Sequence, residues 1–164
     1  MQQYFRILSA YPDFRRLWLA NVISLTGDWF NTIVMSALVV RYSPGSEGTA
    51  ISLLLLARFV PPMIISPLAG VLIDNLNRKH LLIASNLLRA LVVLSFLLVI
   101  EDPALLWVVY LLNIVQFILG AVFEPGQAAM IPSLVAREDW VQANTLFSVT
   151  WSVMLALRGA VGGL

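Results

Sequence analysis

Five stretches of the chain are apolar for about 20 residues or more, the length a helix needs to cross a bilayer. They run approximately over 17–40, 50–73, 81–100, 104–126 and 140–164, with short polar or charged segments between them. The pattern predicts an all-α membrane protein of about five transmembrane helices, forming one bundle over 1–164. The first stretch is the least apolar. It carries Asn21, Ser24, Asp28, Asn31 and Thr32, whose three- and four-residue steps put them on one helical face. A polar face inside a span must look at protein or water, because lipid offers it no partner. Asn113, Gln116, Gly120 and Glu124 repeat the arrangement in the fourth stretch, and Asn144, Ser148 and Ser152 in the fifth. The second holds Pro61, Pro62 and Pro67, which remove backbone donors and are expected to bend or break its helix.

Composition agrees with the pattern. Of 164 residues 60% are apolar, and the mean hydropathy of +0.88 is too high for a soluble domain. The net charge of +1 gives no basis for nucleic-acid binding, and the absence of cysteine removes disulfides, thiol catalysis and cysteine metal sites. No phosphate-binding loop or catalytic set is visible, so neither an enzyme nor a cofactor is expected. His80, beside Arg78 and Lys79, reads as a solvated loop residue. Residues 1–16 read as a polar lead with Arg6, Arg15 and Arg16, too far from signal-peptide form to be cleaved. With the N-terminus inside, six cations (Arg6, Arg15, Arg16, Arg78, Lys79, Arg137) face the cytoplasm and only Arg41 faces out. This bias predicts a multi-pass protein of the cell inner membrane with a cytoplasmic N-terminus.

The turn between the second and third spans, Gly70-Val71-Leu72-Ile73-Asp74-Asn75-Leu76-Asn77-Arg78-Lys79, resembles the loop between helices 2 and 3 of the major facilitator superfamily of secondary transporters, Gly-x-Leu-x-Asp-Arg-x-Gly-Arg-Lys. Asn75 stands where Arg is usual and Asn77 where Gly is usual. Gly70 is expected to let two helices approach closely, Asp74 to meet a helix N-terminus or a cation, and Arg78 and Lys79 to anchor the loop. The likeness extends along the chain. Asp28, Arg58 near Pro61-Pro62, the run Asn86–Ala90, Phe123-Glu124-Pro125-Gly126 and Ile131–Val135 are similar to the exporter branch that includes macrolide efflux pumps and the enterobactin exporter. Two features depart: Gln116 stands where the superfamily often has Arg in its fourth span, and the antiporter signature of the fifth span survives only as Gly162-Gly163 behind Arg158-Gly159. A proton-relay Arg in the fourth span is therefore not carried over.

The resemblance implies an incomplete six-helix N-terminal bundle, working with a missing C-terminal half of the same transporter. The apolar ending at Leu164, with no closing flank, gives the same expectation of a chain stopping in or at the end of a span. Its implied partners are a small-molecule substrate, protons and the lipid bilayer. The expected function is proton-coupled export of amphipathic small molecules such as drugs or siderophores by alternating access. Two alternatives stay open: import of an anionic solute, and a non-transporting membrane interaction protein whose polar faces glue helices together.

Charges within the spans carry the candidate chemistry. By helical rise Asp28 lies about 17 Å into the first span, Arg89 about 12 Å from the inner end of the third, and Arg58 about 12 Å from the outer end of the second, so the three fall near one level. An ionised group at that depth costs at least about 2.5–3.5 kcal/mol, so it must be paired, hydrated or neutralised. Asp28, Arg58 and Arg89 are the candidates for proton coupling or substrate contact, against a static ion pair that holds helices together. Asn21, Ser24, Asn31, Asn113 and Gln116 are expected to line a cavity. Gly70, Asp74, Arg78 and Lys79 form the expected conformational loop.

Overall fold

The computed structural model describes residues 2–98 and 102–162; the expected end of the third span at Ile100, with Glu101, and the closing Gly163 and Leu164 lie outside the described residues, as does the side chain of Arg158. The elements are α1 (Gln2–Ala10), α2 (Pro12–Tyr42), α3 (Glu47–Asn75), α4 (Arg78–Phe96), α5 (Leu106–Leu134) and α6 (Trp140–Gly162), with single 3-10 turns at Pro103–Leu105 and Arg137–Asp139. Among the described residues α2, α3, α4 and α5 are long and apolar enough to cross a membrane, by length and composition. The fifth expected span folds as the helix α6.

Helix boundaries differ from the sequence expectation in an instructive way. The helix α3 runs unbroken through Pro61, Pro62 and Pro67. Each ring deprives one carbonyl, that of Ala57, Arg58 or Met63, of its backbone donor, and flanking helical residues on both sides hold the remaining ladder. In the same way α5 continues past Pro125-Gly126 to Leu134, eight residues beyond the expected end at 126.

The chain forms two compact units: residues 1–30 with 127–164, and residues 31–126. In the first, the supposed polar lead is a folded helix. Along α1, Tyr4, Ile7 and Leu8 recur at helical spacing, and with Tyr11 and Phe14 they pack on Ile131, Val135, Ala143 and Leu146. Phe14 meets Phe147 edge to face, with ring centroids 5.6 Å apart. Asp139 ties the arrangement together: its Oδ1 takes Arg6 Nη2 at 2.7 Å and its Oδ2 takes the Tyr11 hydroxyl at 3.1 Å. Trp18 Nε1 donates to Thr150 Oγ1 at 3.0 Å.

The second unit has its core at Met35, Leu38, Val39, Ala50, Leu54, Phe96 and Val109. The Tyr110 hydroxyl donates to the Ala50 carbonyl at 3.1 Å, and Ser85 Oγ to the Leu119 carbonyl at 2.8 Å, which cross-links α5 to α3 and α4. Close approach occurs at Gly126, where a Cβ would sit 3.0 Å from Leu82 Cδ2 and 3.7 Å from Ile73 Cγ1. Gly70, expected to serve that purpose, has nothing within 4 Å of its Cβ position. Gly45 alone among the described residues has positive φ, at 81°, in the turn that joins α2 to α3.

Two outcomes follow from these contacts. Ile7 is fully buried, whereas Arg6 in its ion pair is 66% exposed. Ile7→Ala should therefore loosen α1 by about 2–3 kcal/mol and Arg6→Gln by less than about 1 kcal/mol, read as faster proteolysis at the Ala10–Pro12 junction. Gly126→Leu should destabilise the second unit by about 1–3 kcal/mol through overpacking, and Leu82→Ala should restore much of the lost melting temperature. Equal melting of Gly126→Leu and parent would remove the close-contact account.

Candidate functional site

In the second unit, two guanidinium groups sit within membrane-length helices, each against an aromatic ring. Arg58 of α3 donates from Nη1 to Thr32 Oγ1 of α2 at 3.1 Å. Its Cζ lies 4.8 Å from the Phe117 ring centroid on α5 and 5.7 Å from that of Phe59. One side chain thus spans three helices. Arg89 of α4 is 7% exposed, with its Cζ 5.8 Å from the Phe123 ring centroid on α5. Ser85, one turn before it on the same face, makes the bond to Leu119, so this stripe of α4 is directed at α5. A guanidinium over a ring gains about 0.5–2 kcal/mol, more when desolvated.

The amides of this unit are deeply enclosed. Asn31 is 6% exposed, Asn113 and Gln116 each 3%. They are among the residues expected to line a cavity, and the structure buries them. Glu124, close along α5 to Phe123, is exposed.

In the first unit, Asn21 is buried, and Ser24 and Asp28 are half-buried on the same stripe of α2, with Ile23, Gly27 and Phe30 exposed around them. Asp28 belongs to the first unit and Arg58 and Arg89 to the second. Among the described residues no group of three or more His, Asp or Glu side chains is arranged to hold a metal ion.

At the loop between α3 and α4, Asp74, Arg78 and Lys79 are all exposed. The N-terminus of α4 is capped by Asn77, whose Oδ1 accepts from the backbone of Lys79 at 3.1 Å and His80 at 3.4 Å. Asp74, expected as a partner for a helix N-terminus, is not the capping residue here. Asn is a good capping residue, and Gly, the usual residue at this point of the related loop, has no side chain to accept those bonds. Asn75 folds back, its Nδ2 donating to the Val71 carbonyl at 2.8 Å. Both departures from the loop pattern thus serve local helix ends. Sequence reading missed Asn77 as a cap, although an Asn immediately before an apolar helix is a usable signal.

The chain matches, over residues 9–164, the family described as transmembrane secretion effector. Among curated proteins it is 27% identical over 147 residues to the uncharacterized MFS-type transporter YfiS of Bacillus subtilis, covering 90% of this chain and 34% of that protein. It is 28% identical over 155 residues to the putative bacilysin exporter BacE of Bacillus subtilis, covering 93% and 37%. It is also 25% identical over 162 residues to the enterobactin exporter EntS of Escherichia coli, covering 96% and 38%. The chain spans roughly a third of the length of the curated relatives it matches. No solved structure matches it. A family match along nearly the whole chain, on membrane-length helices carrying the Gly70–Lys79 loop, shows that the chain belongs to the transmembrane secretion effector family of the major facilitator superfamily.

Proposed function

We propose that this chain is the N-terminal part of a secondary active transporter, a proton-coupled exporter of amphipathic small molecules that works by alternating access. The observation that carries the reading is Arg89, a permanent cation 7% exposed within a membrane-length helix of a chain whose relatives include proteins named as exporters. A cation within a membrane-length helix is costly to place there, and such residues mark substrate or ion pathways. In this reading the protein lies in the cell inner membrane with its N-terminus in the cytoplasm, and the C-terminal half of the same transporter completes the path. Asp28 exchanges the coupling proton, and Arg58 and Arg89 tune it or face the substrate. Asn21, Ser24, Asn31, Asn113 and Gln116 line the cavity through which the molecule moves.

Import of an anionic solute is the second reading, favoured by the two guanidinium groups Arg58 and Arg89. The direction of flux separates the two. In the full-length protein, Asp28→Asn should lower pH-gradient-driven efflux of radiolabelled erythromycin, enterobactin or bacilysin to the level of empty vesicles, with protein in the membrane at parental amounts. Efflux that still follows the pH gradient in that variant would reassign Asp28 to structure.

The loop has a conformational role in this reading. Asp74, Arg78 and Lys79, with Gly70 behind them, clamp the spans on the cytoplasmic side and favour the outward-open state. A contact made in only one state shifts the equilibrium by its own differential free energy, so one or two contacts of about 0.5–3 kcal/mol move populations from about two-fold to over a hundred-fold. Asp74→Asn should reduce transport and raise labelling of cysteines introduced near the cytoplasmic ends of α3 and α5. Parental labelling together with reduced transport would mean that Asp74 acts by another route.

A further inference from the structure

Two buried amides in the second unit each have an open N–H donor. Asn31 is 6% and Asn113 3% exposed, and neither Nδ2 has a hydrogen-bond partner. Buried donors in native proteins are nearly always satisfied, so a pair left open in one small unit calls for a guest. Their positions are related. Met35 of α2 and Val109 of α5 belong to one core cluster. Asn31 lies one turn before Met35 and Asn113 one turn after Val109, each on the same face as its neighbour. The helices α2, α3, α4 and α5 follow one another by short connections, so α2 and α5 run in opposite directions. One turn back along α2 is therefore level with one turn forward along α5. Arg58 bridges the same two helices close by: it bonds Thr32, next to Asn31, and covers Phe117, one turn beyond Asn113.

We propose that Asn31 and Asn113 form a two-donor site between α2 and α5 for a neutral oxygen acceptor. Its guest is either an ordered water or a carbonyl or hydroxyl oxygen of the transported molecule. One such oxygen has two lone pairs and can take both N–H groups at once. Two uncharged N–H donors match the two lone pairs of a neutral oxygen. A bridging water with two to four polar partners is a common solution for buried groups of this kind. The substrate arm rests on the transporter reading, and the water arm does not.

A double-mutant cycle in the full-length protein decides the matter, with Asn31→Leu, Asn113→Leu and the double variant. The readouts are Tm from intrinsic tryptophan fluorescence and KM for efflux of radiolabelled erythromycin. Because one guest joins both side chains, either single variant should remove most of the effect and the double should add little. If water fills the site, Tm falls in each single variant, falls no further in the double, and KM stays at the parental value. If a substrate oxygen fills it, KM rises about 2- to 10-fold in each single variant and no further in the double, while Tm is unchanged or raised. Additive effects in the double variant overturn the proposal, as does a set in which Tm does not fall and KM does not rise. Should the parent fail to move erythromycin, export of that probe fails as a reading, and the Tm cycle alone rules: a non-additive fall keeps the site and any other result removes it.

Discussion

A lipid core offers no hydrogen-bond partner, and most of what this chain does answers to that fact. The helices α2, α3, α4 and α5 satisfy their backbones internally. The hydroxyls on them do the same by turning back on their own helix: Thr26 donates to the Val22 carbonyl at 2.8 Å, Ser52 to Gly48 at 2.8 Å, Ser66 to Pro62 at 2.6 Å and Ser95 to Leu91 at 2.9 Å. Such back-bonding lets a polar residue occupy an apolar helix without a neighbour. It also explains why the exposed serines of these helices give no sign of a binding surface.

Groups too large or too charged to be satisfied in this way are handled between helices. Arg58 divides its guanidinium between a threonine hydroxyl and the face of Phe117, and Arg89 lies over Phe123. Both rings belong to α5, the helix that also receives the Ser85 bond and carries Asn113 and Gln116. The polar chemistry of the second unit therefore gathers along one helix. Gly126 lets that helix come close to Leu82 and Ile73 near its far end, so α5 is both the polar seam and the close-packed one.

The loop between α3 and α4 shows how a family pattern and a local requirement share residues. Asn77 gives up the glycine usual in related loops and gains two backbone bonds at the start of α4. Asp74, Arg78 and Lys79 stay exposed at the surface.

Membrane class and the superfamily loop were legible in the sequence, because hydropathy and short-range spacing act within a single helix and need no knowledge of neighbours. The stripe Asn21, Ser24, Asp28 and Asn31 is a pattern of the same kind. The sequence also held the periodicity of α1, but a nine-residue helix is marginal alone, and only its packing on Ile131, Val135, Ala143 and Leu146 makes it fold. What tertiary structure alone decided is which residues meet. It assigned close approach to Gly126 and not Gly70, the α4 cap to Asn77 and not Asp74, and the Arg58 and Arg89 guanidinium groups to rings of α5. Those choices depend on distances between side chains far apart in the chain, and spacing along one helix carries no information about the helix that packs against it.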